Sequence, residues 1–200
     1  KCALALQVVD RSRVLIVDGD PGDDPERAES YYLAAALDPE GDAVSGIDVQ
    51  VVEIDTFGDI EFEEYDLIAM VNAATPEDEV VRRLEAYVAA GGGLVVFVGN
   101  QIDADRYNEV LFRDGEGLLP GRVLDVEGDV DRPSRMFLAA PDHPVFSVAP
   151  SFFEAIFAKM ALIYRYMPLE IDPAHPSTPL MRLNDAEGAP LGLVHSFGGG

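Results

Sequence analysis

Three short stretches of this chain are apolar almost without interruption: Arg13-Val14-Leu15-Ile16-Val17-Asp18, Asp66-Leu67-Ile68-Ala69-Met70-Val71-Asn72, and Leu94 to Val98. A strand with one wet face alternates apolar and polar residues. A strand covered on both faces does not, and such strands are the habit of parallel sheets sandwiched between helices. Val49 to Ile54 reads as a further strand. The intervening segments carry helix signals. Asp24-Pro25 offers an N-cap and a proline at the first helical position, and Ala28, Tyr31, Tyr32, Ala35 and Ala36 recur at helical spacing before Pro39 and Gly41. Thr75-Pro76 opens a second helix with Asp78 at its third position. Its apolar face is Val80, Val81, Leu84, Tyr87 and Val88, and Gly91-Gly92-Gly93 stops it. Strands alternating with helices at this spacing build right-handed βαβ units, so the expected fold is α/β: a three-layer α/β/α, flavodoxin-like, mostly parallel sheet.

Beyond Gly99 the pattern loosens. Asp103 is placed to cap a short helix through Tyr107, Val110 and Leu111, and the turn-rich Asp114-Gly115-Glu116-Gly117 and Leu118-Leu119-Pro120 follow. Loops and short strands are expected from there to Pro150. Met160 to Tyr166, Leu180 to Leu183 and Leu191 to Phe197 suggest a C-terminal antiparallel extension of the sheet. At 200 residues and 48% hydrophobic, one domain over 13–200 is expected, preceded by a connecting segment or edge strand over 1–12. No apolar run approaches the roughly 18 residues of a membrane span. The chain opens on Lys1-Cys2-Ala3-Leu4 and stops at Gly198-Gly199-Gly200, which suggests a piece of a longer protein, cut short at its C-terminal end.

Charge narrows the partners. The formal net charge is −23, with 37 acidic residues spread along the chain, and Lys1 and Lys159 are the only lysines. Nucleic acid and anionic membrane surfaces are held through Lys and Arg, so neither is an expected partner. One cysteine, Cys2, excludes an internal disulfide.

In open α/β sheets ligands sit beyond the carboxyl ends of the strands, so the informative residues follow each apolar run. The first such place is Asp18-Gly19-Asp20-Pro21, with Asp23 and Asp24 behind it. A strand ending in Asp-x-Asp can hold Mg²⁺, and in the haloacid dehalogenase superfamily the first aspartate accepts a phosphoryl group. That chemistry also needs a Ser or Thr ending another strand and a lysine for the phosphate. Here the third strand ends in Asn72-Ala73-Ala74 and Lys159 falls in a strand-like segment. A receiver domain would want its aspartate where Asn72 stands. Against both, Gly19 and Pro21 make a tight turn whose aspartates cap backbone amides. The second place, Asn72-Ala73-Ala74-Thr75-Pro76, leaves room for a ligand or simply turns into a capped helix. The third is Gly99-Asn100-Gln101, directly after Leu94 to Val98.

The order of these elements, the Tyr65-Asp66-Leu67-Ile68 strand, the Tyr87-Val88-x-x-Gly91-Gly92-Gly93-Leu94-Val95 stretch and the abrupt turn after it resemble the class I glutamine amidotransferase-like superfamily, in its trehalose-utilisation-like branch. Val14 to Pro21, Phe97-Val98-Gly99-Asn100-Gln101-Ile102-Asp103 with Tyr107-Asn108, and Leu118-Leu119-Pro120 further resemble the amidotransferase-like domain of large membrane-anchored planctomycete-type proteins that also carry BatA-type and von Willebrand A segments. The resemblance covers roughly residues 13 to 200. It implies a location on the extracytoplasmic side of a bacterial membrane. In catalytic relatives the turn after the fourth strand is a nucleophile elbow that holds a cysteine beside oxyanion-stabilising amides. Asn100 aligns with that turn to within a residue, and neither it nor Gln101 can attack a carbonyl. Cys2 precedes the first core strand and no Gly-x-Ser-x-Gly is present.

The histidines supply no substitute. His143 lies in the turn Asp142-His143-Pro144-Val145, His175 in Pro173-Ala174-His175-Pro176, and His195 in an apolar run where a core imidazole satisfied locally is the plain reading. No two have metal-ligand spacing. The expectation is therefore a non-catalytic domain with no cofactor and no metal, binding a small polar ligand, another domain of its own chain or a protein partner through Asp18, Asp20, Asn72, Asn100 and Gln101. The enzymatic alternative is Mg-dependent phosphoryl transfer or hydrolysis at Asp18 and Asp20. A purely structural spacer is the third possibility, its cleft filled by side chains such as Tyr107 or Phe112.

Overall fold

A computed structural model describes residues 11–22, 26, 28–39, 45–146 and 160–198. They form two compact units, one ending at Gln101 and rejoined by Gly198, the other spanning Ile102–Phe197. The first contains strands β1 (Ser12–Asp18), β2 (Ile47–Glu53), β3 (Leu67–Val71) and β4 (Gly93–Phe97), with helices α1 (Glu29–Leu37) and α2 (Asp78–Ala89). The strands form one parallel sheet in the order β2-β1-β3-β4, in register from Ser12 opposite Ile47 to Val71 opposite Phe97. This is the α/β fold expected.

The order explains two of the three apolar runs; the third, Leu94 to Val98, falls on edge strand β4 and is not covered on both faces as its composition suggested. The inner strands β1 and β3 are covered on both faces, and Leu15, Ile16, Val17, Ile68 and Met70 are fully buried. Strands β2 and β4 lie at the edges, where Val51, Val95 and Phe97 are exposed. The chain moves outward in opposite directions from β1 to β2 and from β3 to β4. Right-handed crossovers therefore put α1 and α2 on opposite faces. Val14, Ile16, Ala69 and Val71 line one face, and α1 packs on it through Leu33, Ala34 and Leu37.

Several local expectations need correction. The helical face expected at Tyr31, Tyr32, Ala35 and Ala36 is exposed instead, because the wholly apolar Leu33 and Leu37 dock on the sheet while the tyrosines keep their hydroxyl-bearing rings at the surface. Thr75 does not cap α2. The N-cap is Glu77, without a side-chain cap bond, so Asp78 is the first helical residue, and the Thr75 hydroxyl is buried with no hydrogen-bond partner. The face through Val81, Leu84, Tyr87 and Val88 is buried as its spacing predicts. Strand β2 begins two residues earlier than expected and ends before Ile54, which opens a 3₁₀ segment, Ile54–Asp59. The β2-to-β3 crossover is then closed by Phe57 stacked on Phe62 at 4.8 Å, while Arg83 lies over Phe62 and donates to the carbonyls of Gly58 and Ile60 at 2.6 and 2.5 Å. The caps proposed at Asp24-Pro25, the Gly41 stop, Cys2, Lys159 and most of the 1–12 segment lie outside the described residues.

The second unit opens with α3 (Ala104–Tyr107), capped as expected by Asp103 accepting from the Arg106 amide at 3.0 Å, and continues as a π-helical turn over Asn108–Phe112. The remaining strands are β5 (Arg122–Val123), β6 (Ser134–Leu138), β7 (Leu162–Ile163), β8 (Leu169–Glu170), β9 (Thr178–Leu183) and β10 (Pro190–Val194). They are antiparallel, as expected, but among the described residues they pair with one another, in the orders β10-β9-β6-β7 and β5-β8. They form sheets of their own instead of extending the parallel one. Tyr107, Leu111, Phe112 and Val123 are buried in this unit's core. Among the described residues no helix is long and apolar enough to cross a membrane.

Leu84 is fully buried, so Leu84→Ala should cost about 2–5 kcal/mol in urea unfolding. Thr75→Val removes a buried, unpartnered hydroxyl and keeps its shape. It should lose nothing and gain up to about 1 kcal/mol.

Candidate functional site

The carboxyl ends of β1, β3 and β4 bring Asp18, Asn72 and the turn Gly99-Asn100-Gln101 onto the same edge of the parallel sheet. Asn72 is the organising residue. It follows β3 with a left-handed φ of 48° and is only 2% exposed. Asparagine tolerates that conformation better than most residues. Its backbone N–H donates to Phe97 O at 2.9 Å, its Oδ1 accepts from the Gln101 amide at 2.8 Å, and its Nδ2 donates to Asn100 Oδ1 at 2.9 Å. One residue thus holds both ends of the turn after β4, its backbone bonding Phe97 and its side chain Asn100 and Gln101, while Asn100 and Gln101 themselves are exposed.

Two glycines make this packing possible. A Cβ on Gly99 would collide with the Asn72 side chain, and a Cβ on Gly19 would collide with the Asn72 carbonyl and Ala73 Cα. Gly19 also donates its amide to Val71 O at 3.0 Å. The turns after β1 and β4 therefore close on Asn72 from two sides.

Asp18 is buried, and both its oxygens are engaged. Oδ1 accepts from the Asp20 amide at 3.0 Å and Oδ2 from the Ser30 hydroxyl at 2.5 Å. It ties the end of β1 to the first turn of α1. Ser30, buried itself, was not singled out by sequence; the only available signal was a hydroxyl residue near the start of the helix that follows an Asp-ended strand. Asp20 is exposed and meets Asp18 through its backbone. Among the described residues no group of three His, Cys, Asp or Glu side chains converges as a metal site; Asp23 and Asp24 lie outside them. The arrangement at Asp18 is a tether between elements.

The histidines fall in the second unit. His143 sits in a turn, its amide donating to Ala140 O at 3.0 Å and its Nδ1 accepting from the Val145 amide at 3.3 Å. His195 donates from Nε2 to Leu118 O at 2.9 Å, an imidazole satisfied locally. His175 lies between two carboxylates, with Nδ1 3.2 Å from Asp172 Oδ2 and Nε2 3.1 Å from Glu116 Oε1. Its pKa rises above 6.5, first through the Asp172 hydrogen bond. The same unit has a polar depression of about 430 Å³ lined by Asp105, Asn108, Glu109, Arg113, Asp114 and Arg122. Arg122 pairs there with Asp114 at 2.8 Å, and the Asn108 amide is bonded in both directions to the Val123 backbone.

No family model matches the chain, and no curated protein matches it. Solved structures do. A ThuA-like protein from Parabacteroides merdae superposes with a TM-score of 0.56 at 16% identity, over 94% of this chain and 76% of that one. The GH42 β-galactosidase Gan42B superposes with a TM-score of 0.52 at 12% identity, again over 94% of this chain, and a catalytic variant of it from G. stearothermophilus matches at 0.52 and 14%. The chain spans only 26% of the β-galactosidase. The chain thus shares its α/β fold with a ThuA-like protein, in keeping with the resemblance noted in the sequence motifs.

Asn72→Ala would leave the Gln101 amide and Asn100 Oδ1 without their partner and put alanine at a φ of 48°. A loss of about 2–4 kcal/mol in urea unfolding is expected, of which Asn72→Gly should recover about 1 kcal/mol, the conformational part. For His175 the folded pKa is raised. Its stabilising contribution is therefore complete below the unfolded value near 6.5 and lost as pH rises through the folded pKa. An NMR titration should find His175 titrating above 6.5, and Glu116→Gln should lower its midpoint.

Proposed function

We propose that this chain is a non-catalytic amidotransferase-like domain over 13–200 of a larger membrane-anchored envelope protein, and that it binds a small polar ligand at the turn after β4. The observation that carries the reading is the bond from the Gln101 amide to Asn72 Oδ1 at 2.8 Å. In a nucleophile elbow the amide following the nucleophile helps stabilise the oxyanion. Here that amide is already capped, and the preceding residue is an asparagine with no nucleophilic atom. Both halves of acyl-transfer chemistry are thereby compromised at the same turn. The rigid, wet surface of Asn100 and Gln101 remains available for recognition, as fold and activity are separable.

The larger context is supported by two things. The motifs from Val14 to Pro21 and Phe97 to Asp103 resemble those of membrane-anchored proteins with BatA-type and von Willebrand A segments, and a similar fold forms part of a much longer β-galactosidase chain. A partner domain of the same protein is the other occupant such a turn would suit. Magnesium-dependent chemistry at Asp18 and Asp20 is disfavoured, because both Asp18 oxygens are committed to the Asp20 amide and Ser30.

Asn100→Cys should fold yet release no ammonia from glutamine, because restoring a thiol leaves the Gln101 amide capped. Ammonia release above the buffer rate by the wild type or by this variant would sink the non-catalytic reading. A fragment screen followed by NMR should perturb Asn100 and Gln101 first; hits that consistently avoid this turn would count against it as the binding site.

A further inference from the structure

His175 bridges two turns that are distant in the chain but belong to the same compact unit. Its Nδ1 is 3.2 Å from Asp172 Oδ2 on its own loop between β8 and β9, and its Nε2 is 3.1 Å from Glu116 Oε1, 59 residues away in sequence. Glu116 belongs to the 113–117 turn that follows the π-helical segment, and its amide donates to Arg113 O at 3.2 Å. The imidazole packs on this turn closely enough that a Cβ on Gly115 would collide with it. Arg113 and Asp114 open the turn in left-handed conformations, at φ of 47° and 53°, and both line the polar depression of the second unit. One wall of that depression is therefore carried by the segment that His175 touches.

The proton count of the ring decides whether both contacts can exist. Each partner is a carboxylate and can only accept. A neutral imidazole has one N–H and one lone pair, so one of the two contacts would set a lone pair against a carboxylate oxygen; only imidazolium donates to both. Asp172 lies in the same tight turn, where the His175 amide donates to its carbonyl at 3.1 Å and the Ala174 amide holds its Oδ1 at 2.8 Å, so that contact is kept by local geometry. The Glu116 contact crosses between loops and is the one that deprotonation breaks. Among the described residues, the other charges at hand are Arg122 on β5, which acts on Asp172 and pairs with Asp114 at 2.8 Å and Glu170 at 4.0 Å, and Arg113, whose guanidinium donates to the Glu116 carbonyl.

We propose that His175 is a pH-sensitive latch: as imidazolium it fastens the 113–117 turn to the β8–β9 loop, and on losing its proton it lets Glu116 go and frees the wall of the depression. The two carboxylates hold the proton on the ring, the Asp172 hydrogen bond first, so the latch is closed at acidic pH and opens as pH rises through a pKa raised above 6.5. It is independent of what binds at the turn after β4.

The test is an NMR pH titration of the full chain read on carbon-bound protons, between about pH 5.5 and about pH 8.5, where Asp and Glu stay ionised and histidine changes charge. The NOE from the His175 ring protons to the Gly115 Cα protons should weaken about twofold or more as pH rises, exposed ion pairs being individually modest. The Cα shifts of Arg113 and Asp114 should move with the same midpoint as the His175 ring. In Glu116→Gln the carboxamide accepts from the charged ring through its oxygen and donates to the neutral ring through its nitrogen, so the NOE and the shifts should stay constant across the range. A wild-type NOE that persists while His175 titrates, Arg113 and Asp114 shifts that do not follow the ring, or a Glu116→Gln variant that loses the NOE as the wild type does would each overturn the latch. Should Glu116→Gln fail to fold, the wild-type midpoints decide alone.

Discussion

The packing at the carboxyl edge of the parallel sheet depends on one buried asparagine held in a left-handed conformation. Asn72 leaves β3 at a φ of 48°, and that reversal aims its side chain at the turn after β4 instead of onward along the strand. A residue with only apolar atoms there would leave the part-buried Gln101 amide and Asn100 Oδ1 without their partner. The requirement propagates outward. Gly19 and Gly99 must lack side chains because Asn72 occupies the space a Cβ would need. Three loops that are far apart in the chain are made interdependent by one amide.

Asp18 does the corresponding work on the other side of the sheet's centre. Its buried carboxylate links β1 to α1 through Ser30 and fixes the Asp20 turn. A carboxylate engaged in this way is a structural element, however suggestive Asp-x-Asp is in sequence. The same spacing serves a metal only where further oxygens converge, and convergence is a property of tertiary placement. The site is consequently asymmetric in character: closed and committed around Asp18, open around Asn100.

Much of the fold was legible beforehand for simple reasons. The apolar runs at Val14–Val17 and Leu67–Val71 favour cover on both faces, and the observed order places these strands at the centre of the sheet, whereas the similar run in β4 lies at its edge. The spacing of Val81, Leu84, Tyr87 and Val88 is a helical stripe that any packed context would bury. The first helix was misjudged because Ala and Tyr at regular spacing carry little directional information, and Leu33 with Leu37 won the sheet surface. The antiparallel strands were anticipated as strands but not as independent sheets, since their pairing depends on partners as remote as Met136 and Leu183. Of the site, all five candidate residues could be named from their positions after strands, whereas the direction of each hydrogen bond, and the part played by Ser30, could not.

The division between what is covalent and what is spatial runs through this protein cleanly. By itself, the order of residues determined a parallel α/β sheet, a net charge of −23 and an asparagine at the turn after the fourth strand, because hydropathy period, charge and side-chain identity need no folding to be known. Only the tertiary structure decided that Asn72 reaches across 28 residues to Asn100, that Asp18 is spent on Ser30, and that the Gln101 amide is capped. Those facts rest on distances of about 3 Å between groups far apart in the chain, and no local rule of sequence specifies such distances.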